Sequence, residues 1–162
     1  QAQILDLLLR LREKYRLTIL LITHDLGVVA EMADRVAVMY AGRIVEEAGV
    51  RDLFRAPLHP YTAGLIRSIP GIGKGARPTP AERPRLHAIE GSVPDLLHLP
   101  NGCSFNPRCP DVMPECRDKA PALLPPAAAD AGPRRVACFL HKPAPEAAPS
   151  VEGRGWDPVT GR

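Results

Sequence analysis

The chain has 162 residues, of which 45% are hydrophobic and only 4% aromatic, and its formal net charge is +3. This length allows one ordinary domain or one and a half small ones. Basic and acidic residues are interspersed without a block of like charges, so no nucleic-acid surface is predicted. The longest strongly apolar stretch, 17–22, is far too short to span a bilayer, and no signal peptide opens the chain.

Proline and glycine, with 19 and 13 residues, are concentrated beyond Pro57. The first third is therefore predicted to be compact and periodic, and the rest to be a looser region held by other means. Gln1 already lies inside a helical pattern, so we expect the chain to be a fragment with sequence missing before it.

The chain opens with a predicted amphipathic helix. Its apolar residues recur at the spacing of one helical face: Ile4, Leu7, Leu8 and Leu11. The near-continuous apolar run 17–23 follows, and such a run is typical of a strand buried on both faces of a parallel sheet. Asp25 is then expected to cap a helix over 26–32.

Two further apolar segments, 36–40 and 43–46, predict a β-hairpin that turns at Ala41 and Gly42. Helix, strand, helix, strand and hairpin in succession indicate an α/β fold. The strands are too few to close a core, which again indicates a truncated domain. A short helix is expected at 50–54.

The remainder of the chain is less regular. Pro60 suits the first turn of a helix that runs to about residue 69. A Pro/Gly/Arg-rich linker is predicted over 70–84, and a final module over 86–143 holds all four cysteines. Beyond residue 143 the composition predicts a disordered tail, in which Trp156 has no assigned role.

His24 is the first candidate site residue. It directly follows the predicted buried strand, which is where ligands bind in open α/β sheets. An imidazole at that position can donate a hydrogen bond to a phosphate oxygen. A lone histidine at a strand end is nevertheless more often structural.

The four cysteines are the second candidate site. Cys103, Cys109, Cys116 and Cys138 are separated by five, six and twenty-one residues. The absence of a C-x-x-C pair argues against zinc-ribbon and thioredoxin-type sites. Four thiolates in a small, proline-rich module suit Zn²⁺ or an iron–sulfur cluster, but the spacing alone leaves unrelated free thiols equally open.

The segment from Thr18 to Glu46, with Thr23-His24-Asp25 inside it, resembles the end of an ABC transporter nucleotide-binding domain, and the resemblance covers 1–47. It implies the C-terminal part of a P-loop NTPase domain. It also implies that His24 is the switch (H-loop) histidine, which contacts the γ-phosphate of ATP and helps orient the attacking water.

The same resemblance places the Walker A loop, the signature motif and Walker B upstream of this chain. The glycine-rich segment 71–75 is not a phosphate loop, because it lacks a preceding strand and the required spacing. ATP and Mg²⁺ are thus expected in the complete protein only. The chain alone is expected neither to bind nor to hydrolyse ATP.

Residues 55–65, around His59-Pro60-Tyr61, resemble the oligopeptide/dipeptide/nickel branch of ABC ATPases. A structural role for His59 is favoured over a catalytic one. The cysteine spacing, with Pro110 and the ending that starts at Cys138, is similar to tails in this branch whose cysteines ligate a [4Fe–4S] cluster. The resemblance therefore implies such a cluster, with a structural role.

These expectations combine into one hypothesis: the C-terminal part of an ABC importer ATPase for peptides or a related solute such as nickel. Its expected divisions are 1–56, the ATPase part; 57–85, the His-Pro-Tyr helix and linker; 86–143, the Cys-rich module; and 144–162, the tail. The expected partners are transmembrane permease subunits and a second ATPase subunit, identical or a sister, at the cytoplasmic side of the cell membrane. The alternatives are a stand-alone metal or iron–sulfur interaction module without ATPase activity, and a truncated product with no stable fold.

Overall fold

The computed structural model describes residues 2–69, 88–127 and 132–143. Helices and strands are mixed within these parts, which confirms the α/β expectation in its coarse form. The elements are α1 (Ala2–Tyr15), α2 (Leu26–Met32), β1 (Arg35–Tyr40), β2 (Arg43–Gly49), α3 (Val50–Arg55), α4 (Pro60–Arg67), a 3-10 helix (Asn106–Arg108), α5 (Glu115–Asp118) and β3 (Arg135–Val136). The expected linker over 70–84 and tail over 144–162 lie outside the described residues.

The apolar run 17–23 forms no strand, so that prediction was wrong. Leu20 and Ile22 are 88% and 92% exposed. A strand needs a neighbour that takes up its backbone hydrogen bonds. In the described ranges the strands form a single antiparallel sheet of order β1-β2-β3, and none of its strands pairs with this run. Helix α1 likewise has no buried residue. The first part of the chain thus contributes a helix and an unpaired apolar segment.

Helix α2 begins where its capping residue predicts. Asp25 has an extended backbone, and its Oδ1 accepts the N–H groups of Gly27 at 2.8 Å and Val28 at 3.2 Å. These two donors lack partners within the helix, so the cap stabilises the first turn. The predicted cap is confirmed.

The predicted hairpin is confirmed as β1 and β2, which pair antiparallel. Its two turn residues, Ala41 and Gly42, have φ values of 48° and 76°. Two positive φ angles in a two-residue loop give the turn whose twist matches that of the flanking strands. A bulge between Val38 and Met39 shifts the register within the hairpin.

Strand β3 comes from the cysteine-containing part of the chain and pairs with β2, so that β2 is the central strand. Phe105, from the same part, is 2% exposed and packs in the core beside the hairpin. The buried core consists of Val38, Tyr40, Val45, Ala48, Leu53 and Phe105. One core therefore holds the hairpin and the cysteine-containing segment together.

Helices α3 and α4 confirm the two helices predicted around Pro57. His59 caps α4, because its Nδ1 accepts the backbone N–H of Tyr61 at 3.1 Å. Pro60 occupies the first turn, where its missing N–H costs nothing. The structural role expected for His59 is thereby confirmed. The tilted rings of Tyr61 and Tyr40 pack at 4.7 Å, measured between ring centroids, which joins α4 to β1.

Candidate functional site

All four cysteines line one small cavity, called here the cysteine cavity. Its remaining lining residues are His59, Pro60, Phe105, Asn106, Asp111, Pro121, Phe139 and Leu140. The fold thus brings together four thiols from separate parts of the sequence, and all four cysteines are free of disulfide bonds.

Two of the ligand candidates, Cys103 and Cys116, depend on a tight turn at Gly102. This residue has a φ of 74°, and a Cβ placed on it would lie 2.3 Å from the carbonyl oxygen of Cys116. The close approach lets the backbone N–H of Cys103 donate to that same oxygen at 2.8 Å. Only glycine fits this position, and the turn fixes the distance between the two cysteine backbones.

Cys138 reaches the cavity because β3 pairs with β2. The backbone N–H of Ala137 donates to the carbonyl oxygen of Val45 at 2.9 Å, directly before the cysteine. After it, the N–H of His141 donates to the Cys138 carbonyl oxygen at 3.2 Å and closes a turn. The cysteine most distant in sequence is therefore positioned by the sheet.

Burial raises the pKa of the Cys103 and Cys109 thiols, and it raises the pKa of Cys138 to about 11. Proximity of the other cysteines contributes to the raised pKa of each of these thiols. With no cation present the three side chains are thus protonated near neutral pH. A bound metal offsets this preference, because a coordinating thiol loses its proton.

Backbone donors act on these thiols in the opposite direction. In each case a backbone N–H two residues after the cysteine lowers the thiol pKa by hydrogen bonding; these residues are Phe105, Asp111 and Leu140. Donors to sulfur stabilise a thiolate, and they tune metal and iron–sulfur sites. The cavity thus has a backbone arrangement suited to negatively charged sulfur.

A buried ionic network lies beside the cavity. The Glu46 side chain is fully buried and accepts the backbone N–H groups of Leu58 and His59, each at 2.9 Å. Its Oε1 also accepts from Arg134 Nη2 at 3.1 Å, and the same guanidinium donates to the carbonyl oxygen of Ala56. The network joins β2, the segment before α4 and the residue that precedes β3.

Sequence patterns gave Glu46 no site role and placed Arg134 on the solvated surface, whereas its side chain is buried; they also gave His59 no place at the cavity. Glutamate and arginine are nearly always solvent-exposed, so a buried pair separated by 88 residues leaves no local pattern. For His59 the sequence does hold one local signal, which is the proline that follows it. Pro60 predicts a helix start, and the residue before a helix start is held at the cap of that helix.

The structure places His24 in an exposed bend before α2, away from the residues that line the cysteine cavity. Next to it, the Thr23 hydroxyl accepts the Asp25 backbone N–H at 3.0 Å. The structure brings the four cysteines together and does not bring His24 to them. The role of His24 as a γ-phosphate contact remains a prediction.

Among the described residues, no helix is both long enough and apolar enough to cross a membrane. In the same part of the chain, no group of three or more His, Cys, Asp or Glu residues is arranged to hold a metal ion.

The chain is similar to known proteins over most of its length. A family model described as the oligopeptide/dipeptide transporter C-terminal region matches residues 45–116. The oligopeptide transport ATP-binding protein AppD of Bacillus subtilis is 51% identical over 142 residues, which is 88% of this chain and 40% of the relative. The dipeptide transport ATP-binding protein DppD of Haemophilus influenzae is 44% identical over 155 residues, which is 96% of this chain and 43% of the relative.

A third relative, the oligopeptide transport ATP-binding protein OppD of Mycobacterium tuberculosis, is 52% identical over 124 residues. These residues are 76% of this chain and 19% of that relative. The chain therefore spans less than half the length of these curated relatives, all of which are peptide transport ATP-binding proteins.

Proposed function

We propose that the chain is the C-terminal part of the ATP-hydrolysing subunit of an ABC importer, since residues 45–116 match the family model of oligopeptide/dipeptide transporter C-terminal regions. The transported solute is a di- or oligopeptide, or a related solute such as nickel. The observation that carries the proposal is 51% identity to a peptide transport ATP-binding protein over 88% of this chain.

The proposal assigns ATP and Mg²⁺ to the complete protein and gives His24 the role of γ-phosphate contact. An imidazole at this position donates a hydrogen bond to the terminal phosphate and helps hold the attacking water. Its exposure in the bend before α2 leaves the ring accessible to a nucleotide. The chain alone lacks the phosphate loop that such a site requires, so it neither binds nor hydrolyses ATP by itself.

The complete protein, expressed from its full coding sequence with its permease partners in lipid vesicles, tests this proposal. We expect peptide-dependent ATP hydrolysis that falls at least tenfold in a His24→Ala variant. His98→Ala is the matched control, since His98 is also an exposed histidine and, among the described residues, its side chain pairs with Asp95. Equal activity of the His24→Ala variant and the wild type would contradict the role of His24. Tight ATP binding by the 162-residue chain would contradict the proposal that this chain cannot bind the nucleotide by itself.

The proposed partners are transmembrane permease subunits and a second ATPase subunit, at the cytoplasmic side of the cell membrane. The four divisions expected from the sequence, at 1–56, 57–85, 86–143 and 144–162, are part of the same proposal. The exposed apolar side chains of Leu20 and Ile22 support a further protein surface against the first division.

We further propose that the cysteine cavity holds a [4Fe–4S] cluster. Four thiols line one space, and backbone N–H groups lie against three of them. One tetrahedral zinc ion would bring its sulfur ligands to about 3.8 Å from one another, because a Zn–S bond is about 2.3 Å. A cluster with one iron for each thiolate spreads the ligands farther apart. The resemblance of the cysteine spacing to cluster-binding tails is what favours the cluster over zinc in this proposal.

When bound, the cluster supplies a covalent connection among the four segments that carry the cysteines. Cys138 would link β3 to the turn at Cys103 and Cys116, and Cys109 would hold the end of the 3-10 helix. This is the support that a small segment with little regular structure requires. The proposed role is therefore structural.

Anaerobic purification tests the cluster. The wild-type chain should be brown and contain iron and acid-labile sulfide, and a Cys138→Ser variant should lose most of both. Ser104→Ala is the control, because Ser104 adjoins a cysteine without lining the cysteine cavity. Colourless wild-type protein with one zinc per chain would contradict the cluster. It would favour the alternative metal-binding module only if the complete protein also lacked ATPase activity.

A further inference from the structure

The His59 ring is held in one orientation. The residue is 1% exposed, and its Nδ1 accepts the Tyr61 backbone N–H at 3.1 Å. Its own backbone N–H donates to Glu46 Oε2 at 2.9 Å, and its ring lies 5.8 Å from that of Phe105, measured between centroids. These contacts fix both the backbone and the side chain.

The hydrogen bond at Nδ1 also determines where the ring proton lies. An imidazole nitrogen that accepts an N–H must offer its lone pair, so Nδ1 carries no proton. The neutral ring then has its proton on Nε2. Among the described residues, the hydrogen bonds of His59 involve its backbone N–H and Nδ1 and not Nε2, so Nε2–H is available as a donor.

His59 is one of the residues that line the cysteine cavity. Asn106 is the other lining residue with side-chain N–H groups, and its Nδ2 already donates to the carbonyl oxygen of Asn101 at 2.7 Å. His59 thus brings an imidazole to a wall that also contains four thiols, apolar groups and the Asp111 side chain, and its Nε2 takes part in no hydrogen bond found among the described residues. An occupant of the cavity with sulfur atoms would supply the acceptor.

We propose that His59 donates a hydrogen bond from Nε2–H to a sulfur of the group that the four cysteines hold. The inference rests on the proposed cluster and adds a positioning residue to it. A donor to sulfur withdraws electron density and stabilises the reduced, more negative form of a cluster, so it raises the reduction potential. His59 thus connects the cavity, through its side chain, to Glu46 of β2, through its backbone.

The test uses the full chain loaded anaerobically with iron and sulfide. In a His59→Asn variant, the asparagine Oδ1 can replace Nδ1 as the acceptor at the start of α4, and asparagine is a good capping residue. It has no atom at the position of Nε2. We expect unchanged iron and sulfide content, together with at least a threefold smaller equilibrium constant for reduction. That change equals a fall of about 28 mV for a one-electron couple.

His98→Asn serves as the control and should leave the potential unchanged, since His98 lies in an exposed turn. Equal potentials for wild type and His59→Asn would overturn the hydrogen bond and leave the cluster intact. Wild-type chain that takes up neither iron nor sulfide would overturn the cluster and the hydrogen bond together.

A measurement on the wild type alone tests the inference even if the His59→Asn variant does not fold. In loaded chain with ¹⁵N-labelled histidine, we expect one Nε2–H signal that is hyperfine-shifted and protected from solvent exchange. It should be absent from the spectrum of His59→Asn where that variant folds. An unshifted, rapidly exchanging His59 signal would overturn the inference.

Discussion

Gly102 precedes the first cysteine of the cysteine cavity with a φ of 74°, and a Cβ there would lie 2.3 Å from the Cys116 carbonyl oxygen. A Gly102→Ala substitution therefore adds a backbone clash to the strain of a left-handed conformation. We expect the free energy of unfolding to fall by about 2–4 kcal/mol. Chemical denaturation followed by circular dichroism measures this loss.

Gly42→Ala is the matched control for that experiment. Gly42 has a nearly identical φ of 76°, but nothing lies within 4 Å of a Cβ built on it. The strain alone should cost about 1–2 kcal/mol. Equal losses for the two variants would show that the close approach at Gly102 does not limit the fold.

His59 gives the chain a pH-dependent stability. Burial, and secondarily the neighbouring His141, lower the pKa of His59 from 6.5 to about 4. Between these values the unfolded chain takes up a proton that the folded chain does not. The free energy of unfolding should therefore fall, by up to roughly 3 kcal/mol, as the pH decreases from about 6.5 to 4.

Denaturation curves at several pH values between 4 and 7 measure this slope. The His59→Asn variant should show a smaller slope over the same range, whatever its absolute stability. The other histidines are retained in both proteins, so their contributions appear in both slopes. Identical slopes would contradict the assignment to His59.

At the scale of secondary-structure elements, the buried pair of Glu46 and Arg134 joins β2 to the residue before β3. The side chains are 0% and 9% exposed. Removing the arginine leaves a buried carboxylate with only its two backbone donors. We expect Arg134→Ala to lower the free energy of unfolding by about 3–5 kcal/mol, as measured by chemical denaturation.

The adjacent Arg135 offers a control of the same residue type. Its side chain is 50% exposed and lies 3.8 Å from Glu47. An exposed pair of this kind contributes about 0–1 kcal/mol, so Arg135→Ala should be nearly neutral. A loss for Arg134→Ala no larger than for Arg135→Ala would mean that the buried pair does not hold β3 in place.

At the scale of the whole molecule, residues 17–23 and β2 should differ in hydrogen exchange. Amides of the apolar run have no strand partner in the described part of the chain, whereas β2 is paired on both sides. In the 162-residue chain we expect the run to exchange at least a hundredfold faster than β2. Mass spectrometry of peptides from both segments measures this ratio.

The complete protein offers the comparison for that experiment. If a further protein surface covers Leu20 and Ile22, as proposed, exchange of 17–23 should slow when the complete protein is used. Protection of this run equal to that of β2 in the 162-residue chain would contradict its unpaired state.

Local signals predicted the elements whose structure depends on neighbouring residues. Asp25 marked the start of α2, and Gly42 marked the turn of the hairpin, because a cap and a turn are each satisfied within a few residues. The strand expected at 17–23 was wrong, because such a strand depends on other segments for its hydrogen bonds and its cover. The apolar composition of 17–23 is that of a buried strand, but no strand among the described residues pairs with it.

The candidate site was predictable in composition and not in geometry. The four cysteines were identified as one group, and the structure places them around one cavity. Their arrangement depends on the pairing of β3 with β2. Strand β3 has only two residues, Arg135 and Val136, which is too short for a sequence pattern to predict. The Glu46 network was missed for the same reason, since its partners meet only in the folded chain.

The contact between Glu46 and Arg134 spans 88 residues of sequence. A ribosome adds about 5–20 residues per second, so the hairpin is synthesised roughly 4–18 s before the strand that completes its sheet. During that interval the future central strand has an unpaired edge and a carboxylate without its counter-ion. The unpaired edge of β2 is thus most exposed to misassembly while the chain is being made.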